Sequence, residues 1–196
     1  MSDCFKQPKI LGIIGSPRKN GNTDRLVDAV LGGAKAQNAL IDKIYLSDLQ
    51  FSSCTACEAC KTAGQCTLDD DYSKIVSKMA ESDIWVLGTP VYFWGPTGWF
   101  KSFVDRWYGA RHEFDFSTKK AVIVIPFEDT NIKTGRHTEG MLKDALDYMK
   151  VEIIATLMAP GLLYKDDTEK DGFFLLEAEK IGRAIFSGCE CHTQSN

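Results

Sequence analysis

Cys54, Cys57, Cys60 and Cys66 stand in the order C-x2-C-x2-C-x5-C, so one stretch of 13 residues supplies four thiols. Two residues between thiolates let a single loop wrap several corners of a cubane, and a fourth cysteine five residues on closes the set. The spacing therefore favours a 4Fe-4S cluster. Zinc more often takes its thiolates from two well-separated pairs of cysteines. Structural zinc, and a metal-free dithiol or peroxide-sensing loop, are the alternatives. Cys4, Cys189 and Cys191 lie near the ends of the chain. The last two form C-x-C-H with His192, which reads more simply as thiols on a frayed terminus than as a second metal group.

A second set of groups suits an anion. GSPRKNGNT at residues 15–23 combines glycines for close backbone approach, the hydroxyls of Ser16 and Thr23, the Asn22 amide and the Arg18 cation. It leads into a helix whose first N–H groups favour a phosphate. Neither GxxxxGK[ST] nor GxGxxG is present, so one terminal phosphate fits better than a nucleoside triphosphate or a dinucleotide. A polar turn with an ordinary helix cap, by Asn22 or Thr23, is the plainer alternative.

Residues 89–107 read TPVYFWGPTGWFKSFVDRW. Pro90, Gly95, Pro96 and Gly98 impose a tight irregular path, and Val91, Tyr92, Phe93 and Trp94 lie within it, where they could cover a flat ring. Trp99, Phe100, Phe103 and Trp107 recur at helical spacing and suit a core or a subunit contact. Lys101, Asp105 and Arg106 are expected to pair on the helix surface, with no catalytic role. His112 and His137 read as surface or loop histidines.

These groups must be carried by a regular frame. Apolar runs at 9–15, 41–46, 84–89, 120–127 and 153–160 read as strands buried on both faces. Helical periodicity falls between and after them, from Thr23, at 72–80, 96–108, 139–150 and 172–187, the last with Phe173, Leu176, Ile181 and Ile185 as its buried stripe. Such alternation predicts one α/β domain over 1–196, a parallel sheet covered on both faces and ligand loops at the carboxyl ends of its strands. Residues 51–68 form a cysteine-rich insertion. Lys and Arg total 23 against 27 Asp and Glu, a balance that argues against nucleic-acid binding. No apolar run is long enough to span a membrane and the start is polar, so the expected address is cytoplasmic, where thiols stay reduced.

GSPRKNGNT at 15–23, a cysteine-rich segment ending in DDDY at 69–72, and GTPVYFWGPTGWFKSFVDRW at 88–107 occur in that order. In combination they resemble the flavodoxin-like flavoproteins, specifically the NADPH-dependent FMN reductase and iron-sulfur flavoprotein branch. The resemblance implies a five-stranded parallel sheet of order 2-1-3-4-5 and FMN as cofactor. It assigns the FMN phosphate to Ser16, Arg18, Asn22 and Thr23, and the flavin ring to Pro90, Val91, Tyr92, Phe93, Trp94 and Gly95. Glu128, Asp129 and Asn131 would be neighbours on a third loop near 127–135. It also implies an FMN-dependent oxidoreductase with a 4Fe-4S cluster on Cys54, Cys57, Cys60 and Cys66, and no side chain acting as a nucleophile. Electrons would come from NAD(P)H or pass to and from a ferredoxin-like protein, in a homodimer or homotetramer. A cluster-free NAD(P)H-dependent reductase of flavin, quinone or nitroaromatic substrates is the alternative, and a flavodoxin-like carrier or redox sensor is the non-enzymatic one.

Overall fold

A computed structural model describes residues 7–186, so Cys4, Cys189, Cys191 and His192 lie outside the described residues. The strands are β1 (Lys9–Ile14), β2 (Leu40–Tyr45), β3 (Ile84–Gly88), β4 (Lys120–Pro126) and β5 (Glu152–Ala159). They form one parallel sheet in the order β2-β1-β3-β4-β5, the order that the resemblance implies. The helices are α1 (Asn22–Lys35), α2 (Cys60–Ala63), α3 (Tyr72–Glu81), α4 (Gly98–Asp105), α5 (Trp107–Glu113), α6 (Arg136–Tyr148), α7 (Asp167–Asp171) and α8 (Phe173–Ala184). Among the described residues no helix is long and apolar enough to cross a membrane.

The strands sort their side chains by the period of two. Leu11, Ile13, Trp85, Leu87, Ala121 and Ile123 enter one core with α3, α4, α5 and α6. Ile10, Ile14, Ile84, Val86, Val122 and Val124 enter the other, under α1 and α8. Burial on both faces explains why these strands read as unbroken apolar runs. The binding loops then have one place to gather, the carboxyl edge where β1 and β3 diverge to opposite sides.

Two helices depart from the periodicity. The stretch expected at 96–108 begins at Gly98, capped by the Thr97 hydroxyl, and is divided at Arg106 into α4 and α5. Phe100, Phe103 and Trp107 are buried as expected, whereas Trp99 is exposed. In α8 the expected stripe forms only in part: Ile181 and Ile185 pack half-buried against the core, whereas Phe173 and Leu176 are exposed, and the fully buried positions are Ala178 and Gly182. The cause is a close helix crossing. A Cβ on Gly182 would stand 2.0 Å from the Val30 carbonyl oxygen, and one on Gly33 2.3 Å from that of Glu179. Only hydrogen at both positions lets α1 and α8 approach this closely.

Gly182→Ala should therefore destabilise the protein by at least about 2 kcal/mol through backbone overpacking. Gly140→Ala in α6 meets no neighbour within 4 Å and should stabilise by about 0.5–1 kcal/mol through helix propensity. Urea unfolding of both variants checks the pair; equal effects would contradict the close crossing.

Candidate functional site

Where β1 ends, the Gly15 N–H donates to the Gly88 carbonyl at 2.7 Å and pins the edges of β1 and β3 together. The chain then turns into α1 with Gly21 at the N-cap and no capping side chain. This differs from the cap expected of Asn22 or Thr23, and it leaves the first-turn N–H groups without a capping side chain. Ser16 and Thr23 are buried beside them, while Arg18 is exposed at the rim. The loop is held from behind by Asp24, whose Oδ2 accepts the Asn20 N–H at 2.7 Å. Tyr45 and Lys43 bind the same carboxylate at 2.9 Å. Burial works against the Lys43 ammonium, but its hydrogen bonds to Asp28 and Asp24 keep its pKa above the usual lysine range.

Asn22 lines the same cleft, with its amide oxygen and one amide hydrogen engaged by the segment after β5. Its Nδ2 donates to the Tyr164 carbonyl at 2.7 Å, and its Oδ1 accepts from the Thr168 N–H and hydroxyl, both at 3.2 Å. It ties the segment after β5 to the helix start.

The aromatic stretch after β3 forms a four-residue turn. Tyr92 and Gly95 exchange backbone hydrogen bonds at 2.7 and 3.1 Å, with Phe93 at φ +50° and Trp94 at φ +65° between them. Positive φ at both central residues defines a type I′ turn, which normally takes Asn-Gly. Two bulky aromatics there store backbone strain, and such strain concentrates at functional sites. Phe93 is 95% exposed and Trp94 53% exposed, with their rings packed edge to face at 5.4 Å.

Ser16, Arg18, Asn22, Thr23, Pro90, Val91, Tyr92 and Phe93 meet around one cleft of about 330 Å³. Trp94 faces an adjoining hollow with Val91, Phe93, Glu128 and Asp129, while Gly95 closes the turn. Glu128 also lines the cleft, whereas the Asn131 side chain accepts the Lys133 N–H and caps a short helical turn. Leu162, Leu163 and Lys165, after β5, complete the wall. Sequence reasoning missed these three, although their place beyond the carboxyl end of a strand was the available signal.

The four cysteines are free thiols and line a second cavity of about 370 Å³ with Arg106, Tyr108 and Gly109. Ala56 at φ +53° and Glu58 at φ +60° alternate with Cys54, Cys57 and Cys60, coiling the loop so that its thiols share one concavity. Gly109 lets the loop approach α5, since a Cβ there would meet the Cys66 Cβ at 3.3 Å. The Ala59 N–H, and after it the Thr55 hydroxyl, lower the pKa of the Cys57 thiol. Among the described residues no three His, Cys, Asp or Glu side chains converge closely enough to hold a single metal ion.

The insertion is clasped at its base. Asp71 accepts the Gln50 N–H at 2.8 Å, and Asp70 accepts those of Ser52 at 3.1 Å and Tyr72 at 3.0 Å. Lys101 and Asp105 do pair on the helix surface, but Arg106 does not join them. It is only 2% exposed, and its Nη1 donates to Asp70 at 2.5 Å while Nη2 donates to the Cys66 sulfur at 3.2 Å. The break between α4 and α5 falls at this residue, which the helical repeat alone does not reveal.

Burial works against the Asp70 carboxylate, but the Arg106 hydrogen bond and the two N–H groups outweigh it and hold its pKa below the usual value. A depressed carboxyl pKa gives stability that is present above the unfolded value of about 3.9 and is lost as pH falls through the folded one. Asp70→Asn should cost on the order of 3 kcal/mol near pH 7, because it strands a buried cation. Melting of both proteins across pH 2–7 should show the gap closing in acid; a gap independent of pH would contradict the ion pair.

The comparisons with known proteins agree with this geometry. An iron-sulfur flavoprotein of Methanocaldococcus jannaschii is 38% identical over 111 residues, covering 57% of this chain and 58% of that protein. One from Archaeoglobus fulgidus is 36% identical over 105 residues, covering 53% and 48%. The chain spans about half the length of the curated relatives it matches. The solved NAD(P)H:quinone oxidoreductase from Methanothermobacter marburgensis superimposes with a TM-score of 0.74 at 16% identity, covering 92% of this chain and all of that one, which shows a shared fold. The profile of the NADPH-dependent FMN reductases matches residues 8–160. With the loop before α1, the aromatic turn and the sheet order in place, this chain belongs to the NADPH-dependent FMN reductase family.

Proposed function

We propose that this chain is an FMN-dependent oxidoreductase whose cysteine loop carries a 4Fe-4S cluster. The observation that carries the FMN reading is the single cleft with an uncapped helix start at one end and a strained aromatic turn at the other. The first-turn N–H groups, the Ser16 and Thr23 hydroxyls and Arg18 bind the phosphate. Tyr92, Phe93 and Trp94 cover the ring, and backbone N–H groups of the surrounding loops face the negative charge of its reduced form. Bound there, FMN would exchange electron pairs with one partner and single electrons with another.

The cluster reading is supported by four free thiols around one cavity. A cubane is larger than one ion and needs its sulfurs to stand apart rather than converge. α4 begins beside the aromatic turn and Arg106 follows its last residue, a rise of about 12 Å at 1.5 Å per residue, so the two cavities are joined by one rigid segment. NAD(P)H is the proposed donor, as in the family's description. A ferredoxin-like protein is the proposed one-electron partner. A homodimer or homotetramer would cover the exposed aromatics, and the free thiols suit the cytoplasm. The exposure of Cys54 and Cys57 favours one other reading, a cluster-free NAD(P)H-dependent reductase of flavins, quinones or nitroaromatics.

Anaerobic purification and reconstitution, with chromatography of the released flavin and counting of iron and sulfide, tests the proposal. The expected result is FMN with four iron and four sulfide per cluster, and loss of iron in single Cys→Ser variants of the four ligands. FAD in place of FMN overturns the flavin assignment; FMN without iron leaves the cluster-free reductase.

Arg18→Ala should weaken FMN binding by about 1.5 kcal/mol, near the lower end for a charged hydrogen bond because the guanidinium is exposed. Replacing Phe93 and Trp94 together by Asn and Gly should stabilise the flavin-free protein by about 1–2 kcal/mol of released strain, read as a higher melting temperature, and weaken FMN binding. A variant with unchanged stability and unchanged FMN titration would contradict the role given to the turn.

A further inference from the structure

We infer that Arg106 is a positioning residue that sets the reduction potential of the cysteine site, with Asp70 as its counterweight. The inference rests on the cluster reading above. Arg106 projects a buried guanidinium into the wall of the cysteine cavity. Its fork spans two unlike acceptors, the Asp70 carboxylate through Nη1 and the Cys66 sulfur through Nη2. A guanidinium that served only to lock the insertion to the helix would need the carboxylate and the Ser52 carbonyl, which Nη1 reaches at 3.4 Å. The bond to the Cys66 sulfur adds to that clasp a charged donor on one of the four thiols themselves.

The surroundings make that bond electrostatically strong. The guanidinium lies over the Tyr72 ring at 4.1 Å, and neither its Nε nor the Tyr72 hydroxyl has a hydrogen-bond partner among the described residues. The Tyr72 ring is itself buried and Arg106 is almost wholly out of solvent, so little water screens the charge. One-electron reduction of a cluster on these thiolates, without a proton, adds one negative charge beside Nη2. A donor at a ligand sulfur favours the more negative state, and hydrogen bonds to sulfur together with net charge are established controls of cluster potential. Asp70 opposes it, because its carboxylate cancels part of the arginine charge. The potential therefore reports the balance of the pair.

That balance separates this role from a structural one. Loss of a structural clasp harms the site whichever partner is removed. Loss of a charge balance moves the potential in opposite directions. The test is reconstitution of wild type, Arg106→Gln, Arg106→Lys and Asp70→Asn without oxygen, with iron and FMN counted in each, followed by redox titration read by paramagnetic resonance of the reduced cluster. Arg106→Gln should be harder to reduce than wild type and Asp70→Asn easier. Arg106→Lys, which keeps the charge, should lie nearer wild type than Arg106→Gln does. Potentials that are unchanged, or that move the same way in the Gln and Asn variants, overturn the inference while leaving the cluster in place. If Arg106→Gln does not fold, Asp70→Asn decides alone: an easier reduction supports the balance and an unchanged potential overturns it. Wild type that takes up no iron overturns the cluster reading itself, and this inference with it.

Discussion

Residues 52–58 are exposed throughout and add nothing to either hydrophobic core, so they cannot hold their own shape. Two of them sit at positive φ without being glycine, which costs further free energy. The shape is imposed from beneath, by a buried arginine that grips Asp70 and Cys66 together. Asp70 in turn accepts the N–H groups of Ser52 and Tyr72, on opposite sides of the insertion. One ion pair thus closes the loop at its base, orients a thiol and fastens both to the end of α4. The grip tolerates little change: a buried cation with its partner removed is among the costlier defects a fold can carry.

The other half of the site depends on the sheet edge. β1 and β3 are joined by the Gly15 to Gly88 hydrogen bond, and from that seam one chain turns into α1 while the other enters the aromatic turn. The Thr97 hydroxyl donates to the Gly15 carbonyl at 2.6 Å and accepts the Phe100 N–H, so the loop after β1 and the start of α4 share one hydroxyl. A line of direct contacts therefore runs from the anion end of the cleft, through Thr97 and α4, to Arg106 and the cysteines. This continuity, more than any single residue, makes the two cavities one functional unit.

The frame was legible because burial on both faces writes itself into apolar strands, and the gathering of Ser16, Arg18, Asn22 and Thr23 at one cleft because such residue types have few other uses. The cysteine spacing was legible for the same reason. Arg106 was not: between Asp105 and Trp107 it has the sequence context of a surface charge, and its partner Asp70 is 36 residues away. The strained turn was hidden as well, since Phe93 and Trp94 are residues that a positive φ ordinarily excludes. The stripe in α8 was misread because a helix packed through Ala178 and Gly182 buries its small residues and leaves Phe173 and Leu176 outside. For Arg106 and for α8 the missing information was a distant partner, which no local period contains.

The central claim is that the cysteine loop is shaped by the chain itself, before any metal binds. Hydrogen exchange of the reduced, iron-free and flavin-free protein, read amide by amide, tests it most directly. The N–H groups of Gln50, Ser52 and Asp71 should be protected nearly as well as the ends of the neighbouring strands, because each is bonded across the base of the insertion. Exchange of all three at the rate of an unfolded chain would show that the loop takes its shape only from a bound group, and would contradict the account.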